Sequence, residues 1–395
     1  MKDFSSKIKE TRFHSFTVTA PAGVKEITIR QKKHKFLFGS NVFGLTGKTG
    51  DNLKTYQDRI SAVWNSGTLP FYWGRYEPEE GKPDPGNRVW EAADWAKKEG
   101  FTLKGHPLCW HTVCAPWLLK YDNDTILKMQ LDRIRRDVDK YKGIIDMWDV
   151  INEVVIMPIF NKYDNAVTRI ANHIGAENLV LECFKAVREV NPDATLLIND
   201  FDLSPDYEAL IRRLLDKGCT IDAIGLQTHQ HEAYRTPDMV ADYLDRFSRF
   251  KLPLHFTEIT ILSGELAPKV DDLNDIKRDS WPTTPEGEAL QKEQTEEFYS
   301  QIYAHPQTAA LIWWDPEDGN WLNAPAGLLR KDLSRKPAYD RLKELIKGEW
   351  WFKEQTFGVE GKIGISAPEG EYEAEMNGKT YSFTLDKSKP DVTVG

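Results

Sequence analysis

Two glutamates close apolar runs in this chain: Glu153 in WDVINEV (148–154) and Glu258 in HFTEIT (255–260). A carboxylate is costly to bury without a partner, so two at the ends of otherwise buried segments ask for a reason. Two carboxyls facing each other over one mouth suit glycosidic bond cleavage. One donates a proton to the leaving oxygen, and the other attacks the anomeric carbon or activates water. Their proton affinities must be pushed apart, which closeness and unequal neighbours achieve. Asn152 stands beside Glu153 at its run end, and other apolar runs end in His106, Asn199, Asp200, Gln227, His229 and Trp313. Any one of these, taken alone, reads as a strand-end side chain bonded to a nearby loop. Together they form a set in which Asn152, Gln227 and His229 can bind hydroxyls and tryptophan faces can stack on sugar rings.

Such groups need strands that end at one face. Short apolar runs occur at 36–42, 68–73, 101–110, 144–153, 194–201, 222–229, 252–260 and 309–315. Between them lie helical patterns such as NRVWEAADWAKKEG and ENLVLECFKAVREV, the second with Leu179, Val180, Phe184, Val187 and Val190 on one face. Eight strands alternating with helices close into a parallel (β/α)8 barrel, whose catalytic groups gather at the C-terminal strand ends. A doubly wound open sheet is the competing fold, but no GxGxxG or Walker sequence supports it.

The ends of the chain differ. Residues 13–36 alternate at period two around APAG, like a hairpin, and the segment after Trp351 carries the turn signals PEG and NG between β-rich runs. The expected organisation is a barrel over 36–348, with a small β-sandwich-like module formed by 10–35 and 349–395. Tyr372, Tyr381 and Phe383 alternate as core residues do, which favours a clamp on the chain ends over a carbohydrate-binding unit.

Composition narrows the partners. A net charge of −9 argues against nucleic acid and anionic membranes, and no apolar run is long enough to span a bilayer. With 13 tryptophans and 11% aromatic residues in 395, there is ring surface for both a core and a sugar. Cys109, Cys114, Cys183 and Cys219 include no CxxC pair and are expected to be free or buried thiols. No metal and no cofactor is expected, and the chain is expected to be a monomer. The opening MKDFSSKIKE has no apolar leader. The expected location is secreted or periplasmic with the signal removed, with a cytoplasmic location as the alternative.

Ordered motifs then carry a resemblance. GHPLCWH (105–111), WDVINE, LLINDFD (196–202), IDAIGLQTHQH (221–231), FTEIT (256–260), WWDPEDGNWL (313–322) and GLLRKDLSRKPAYDRL (327–342) resemble the family-10 glycoside hydrolases over roughly residues 36 to 345. Most members are retaining endo-β-1,4-xylanases. The resemblance implies Glu153 as acid/base and Glu258 as nucleophile. It implies Asn152 on the 2-hydroxyl, with His106, Gln227 and His229 lining the same subsite and Trp313 and Trp321 as its walls. It also implies a polysaccharide substrate, xylan or a related β-glycan, and carboxyls about 5–5.5 Å apart.

Two departures stand out. The family's second strand carries an Asn and a Lys for the sugar on the non-reducing side; here Leu69 and Tyr72 align there. Tyr72 then becomes a substrate-facing candidate, and a decorated or different β-glycan becomes the alternative substrate. Two residues past the nucleophile many relatives have Asp, where this chain has Thr260, leaving His229 without a carboxylate partner. Rival readings are a metal-dependent barrel hydrolase using His106, His111, His229 and His231, and a glycan-binding barrel with weak or no catalysis.

Overall fold

The computed structural model describes residues 3–395. Eight parallel strands close a barrel in sequence order: Leu37–Asn41, Ser66–Pro70, Thr102–His106, Met147–Asn152, Thr195–Asp200, Ala223–Gln230, Leu254–Ile261 and Thr308–Trp313. The last pairs with the first through Ala310↔Leu37 to Trp313↔Ser40. The strands are buried on both faces, every residue of Leu254–Ile261 included, which is why they read as continuous apolar runs. The helices after strands five, six and seven start at Pro205, Pro237 and Pro285 behind Ser204, Thr236 and Thr284, whose hydroxyls accept from the next turn. Proline fixes φ where no N–H bond is needed, and the hydroxyl caps the turn, so each loop at the mouth ends at a defined point.

The second run is shorter than its sequence pattern. Pro70 has no N–H to continue the ladder, and Trp73–Tyr76 forms a helical turn, so Phe71 and Tyr72 leave the strand. One close approach sets the pairing of strands three and four. Trp148 lies across Gly105, its register partner, where an added Cβ would meet the indole at 2.1 Å.

Both chain ends contribute to two small sheets that share an apolar core of Phe16, Val18, Ile27, Ile29, Ile365, Tyr372, Ala374 and Leu385. One orders Lys362–Pro368, Phe13–Thr19 and Asp391–Thr393; the other orders Gln355–Gly358, Glu26–His34, Gly370–Met376 and Lys379–Leu385. The N-terminal hairpin expected around APAG does not form. Phe13–Thr19 and Glu26–His34 enter different sheets, and the crossing at 20–25 sets Phe16 and Val18 in the same core as Ile27 and Ile29. The NG hairpin does form, with Asn377 and Gly378 at φ 50° and 72° between Met376 and Lys379. Among the described residues no helix is long and apolar enough to cross a membrane. The four cysteines are free thiols.

These sheets attach at the strand starts, opposite the mouth. Arg12, ending the helix Ser5–Arg12, donates to the carbonyls of Tyr303, His305 and Thr308 and to Thr308 Oγ1, and lies 4.7 Å over Phe36 and 4.8 Å over Tyr303. Lys33 reaches Thr102 Oγ1 and the Gly100 carbonyl. Arg12→Ala should therefore destabilise the chain by about 2–4 kcal/mol, through buried acceptors left unpaired, with kcat/KM unchanged. Thermal denaturation beside an activity assay checks this, and an unshifted Tm would deny the clamp any share of stability.

Candidate active site

Glu153 follows strand four with φ 57°, a left-handed backbone uncommon outside glycine, and its N–H donates to Asn199 O at 2.8 Å. Such strain persists only where surroundings enforce it, and it often marks functional positions. Asn152 N–H donates to Cys109 O, which brings the next residue, Trp110, beside the carboxyl. Trp110 Nε1 donates to Glu153 Oε2 at 2.7 Å, while Asn152 Nδ2 and Gln227 Nε2 reach Oε1 at 3.1 and 3.3 Å.

Glu258 sits in strand seven. Asn199 Nδ2 donates to its Oε1 at 2.8 Å, and His229 Nε2 lies 3.0 Å from Oε2. Asn199 Nδ2 also reaches Asn152 Oδ1 at 2.7 Å, so Asn152 and Asn199 bridge the two carboxyls through side-chain hydrogen bonds. Thr257 Oγ1 donates to Asn199 Oδ1 at 2.6 Å and fixes which way that amide faces.

The electrostatics of the pair are unequal. Burial, then the charges of Asp200 and Glu258, push Glu153 up to about 8, against the opposing bonds from Trp110 and Gln227. Burial would raise Glu258 too, but the His229 bond and the nearby His106, His229 and Lys104 overcome it and hold its carboxyl below the usual glutamate range. The geometry thus keeps one carboxyl protonated and its neighbour ionised at neutral pH, the division of labour that acid-assisted nucleophilic displacement requires.

Beneath Glu258, Asp149 Oδ2 accepts from His106 Nδ1 at 2.7 Å and pairs with Lys104 Nζ at 2.6 Å. This leaves His106 Nε2 facing Glu258 Oε1 at 3.9 Å. On the other side, His229 Nδ1 and His231 Nδ1 both lie 3.4 Å from Thr260 Oγ1, which also accepts from Gln230 N–H. With Glu258 ionised, His229 donates Nε2–H to it, and its Nδ1 faces the Thr260 hydroxyl and not a carboxylate.

Sequence motifs alone do not decide what such a pair acts on. The sequence profile of glycosyl hydrolase family 10 matches residues 51–345. The chain belongs to that family. Among family relatives, a beta-1,4-xylanase of Dictyoglomus thermophilum is 33% identical over 178 residues, 43% of this chain and 49% of that protein, so the chain spans about half the length of that relative. Endo-1,4-beta-xylanase B of Paenibacillus barcinonensis is 26% identical over 290 residues, covering 69% of this chain and 83% of that one. Among solved structures, a family-10 enzyme from Paenibacillus barcinonensis and xylanase 10B from Thermotoga maritima each superpose with a TM-score of 0.65. Each covers 79% of this chain and 95% of its own, at 21% and 22% identity, a likeness in fold.

Within this family-10 barrel, His106, Asn152, Gln227 and His229 converge on the carboxyls by the contacts given above. Trp321 lies 4.6 Å from the His229 ring. Trp313 does not reach the site. Its side chain is fully buried against Tyr299, and its Nε1 donates to the carbonyls of Asp315 and Ala326. Trp314 takes the wall position instead, 5.1 Å from His106 and 6.2 Å from His229, because successive strand side chains point to opposite faces. Leu69 is buried in the core. Tyr72 joins Phe43, His106 and Trp314 in a circuit of near-perpendicular ring contacts, with centroids 5.9, 5.6, 5.1 and 5.4 Å apart around it. The second-strand side is therefore walled by rings.

The remaining histidines have other surroundings. Burial pushes His111 down to about 4, against the Phe160 ring, and His231 down to about 3, beside Trp321. Among the described residues no three His, Cys, Asp or Glu side chains converge as a metal set. Sequence reasoning missed Trp110 and Trp314 and left Asn199 and Asp200 without roles. The Trp110–His111 and Trp313–Trp314 doublets carried the signal, but only strand register selects the member that faces the mouth.

One consequence is a pH profile. Glu153 must keep its proton to act as an acid, so activity should fall as pH rises through about 8. Asp200, itself raised to about 7 by burial, is ionised there and adds to that shift. Asp200→Asn still accepts from Val155 N–H but removes the charge, so the alkaline limb of kcat/KM should move to lower pH. A limb that stays in place would remove Asp200 from the account.

Proposed function

We propose that this chain hydrolyses β-1,4-xylosidic bonds in xylan, with retention of configuration, by double displacement. The observation that carries the reading is the bridged pair of carboxyls with opposed proton affinities, Glu153 raised to about 8 and Glu258 lowered. Family membership and the relatives named beta-1,4-xylanase and endo-1,4-beta-xylanase B support the substrate class.

Ionised Glu258 attacks the anomeric carbon while Glu153 gives its proton to the leaving oxygen. The glycosyl ester then breaks as water attacks the same carbon, with Glu153, now a carboxylate, taking the water's proton. In this reading Asn152 meets the 2-hydroxyl, His106, Gln227 and His229 line that subsite, and Trp314, Trp321 and Tyr72 supply its ring surfaces. The second-strand side, walled by the rings around Tyr72 where the family carries Asn and Lys, keeps a decorated or different β-glycan as the alternative substrate.

The test is hydrolysis of plain xylan, arabinoxylan, glucuronoxylan and cellulose with products resolved by chain length. Short xylooligosaccharides from plain xylan, and none from cellulose, are expected. Intact xylan beside a cleaved glycan of another backbone would overturn the substrate.

A further inference from the structure

The loop after strand four carries Lys162, and the loop after strand seven, residues 262–284, carries Asp272 and Asp275. Lys162 Nζ lies 2.8 Å from Asp272 Oδ2 and 2.6 Å from Asp275 Oδ2. Each partner is tied back to a different catalytic carboxyl. On one bank, Trp110 donates to Glu153, the next residue His111 lies 4.5 Å from Phe160, and Phe160 precedes Lys162 by two residues. On the other bank, His229 contacts Glu258, Trp321 lies against His229, and Trp321 Nε1 donates to Asn274 Oδ1, between the two aspartates, at 3.2 Å.

The Asn152–Asn199 bridge and the Lys162 ion pair thus join the two carboxyls by two separate chains of contacts, which together form a circuit. The loop side of this circuit is firmly built. Leu262, Ala267, Ile276 and Trp281 pack with Ala324 and Ala326, and Ala267 N–H donates to His231 O at 2.7 Å. Glu258 is only 4% exposed, while Glu153 is half-buried.

We propose that the Lys162–Asp272/Asp275 pair is a clasp that selects between short chains and the interior of a polymer. The inference rests on the xylan reading given above. A short chain or a chain end threads a closed circuit; the interior of a long chain enters only when the circuit opens. The pair is exposed, Lys162 at 38% and Asp275 at 58%, so it is weak and readily screened, and opening is frequent enough for internal cleavage. Its effect is a difference in rate between substrates, carried by residues that touch neither reacting atom.

The experiment compares the full chain with Lys162→Ala and Lys162→Arg on polymeric xylan, xylotriose and an aryl xylobioside, at low salt and at about 0.5 M salt. Lys162→Ala should raise kcat/KM on polymer relative to xylotriose by about fivefold and lose the salt response of that ratio. Salt should raise the ratio in the unsubstituted chain, and Lys162→Arg, which keeps the pair, should behave like it. Viscosity should fall faster per reducing end released in the alanine variant. The aryl xylobioside rate tests the xylanase reading on its own. Equal polymer-to-xylotriose ratios in all three proteins at both salts would overturn the clasp.

Discussion

Glu258→Ala should lower turnover on xylan by about 10⁴- to 10⁶-fold, about 5–8 kcal/mol at 1.36 kcal/mol per factor of ten. The carboxyl removed is the one whose electron pair forms the new bond to the anomeric carbon. Nothing nearby replaces it: His229 and Asn199 approach its oxygens as donors to an ionised carboxylate. Loss should be as severe on aryl xylobiosides, because a better leaving group does not supply the missing nucleophile. The fold should survive, since the side chain closes a cleft and does not fill the core. Steady-state rates with a circular dichroism spectrum decide the matter, and a well-folded variant within about tenfold of normal turnover would sink the nucleophile assignment.

Glu153→Ala should divide substrates by leaving group. On xylan the departing sugar hydroxyl needs its proton, and the loss should be about 10²- to 10⁴-fold. An activated aryl glycoside leaves without that help, so its first step should be nearly normal and the glycosyl ester should accumulate, visible as a burst of phenol. A small anion such as azide needs no general base, so it should restore turnover and yield a β-glycosyl azide. Equal losses on both substrates, with no burst and no rescue, would count against Glu153 as acid/base.

How far these roles were readable depends on how local their causes are. The barrel was legible because parallel strands buried on both faces leave continuous apolar runs, as Leu254–Ile261 does, and because Pro, Ser and Thr mark the helix starts. The glutamates were legible because each breaks such a run. Trp313 was misplaced by a single position: a WW doublet at a strand end has one ring inward and one toward the mouth, and pairing decides which. Trp110 gains its contact from a hydrogen bond between strand four and the loop after strand three, which local pattern does not encode. The N-terminal hairpin failed for the same reason. Both strands alternate at period two, but their partners come from the far end of the chain. Lys162, Asp272 and Asp275 read as solvated loop charges, and only the tertiary structure brings them together.

The central claim is that Glu258 forms a bond to the sugar which Glu153 later helps water to break. Proton NMR of the first hemiacetal released from an aryl β-xylobioside tests it directly, before mutarotation mixes the anomers. Two displacements at one carbon predict the β-anomer as first product; the α-anomer would mean a single displacement by water and would contradict the account.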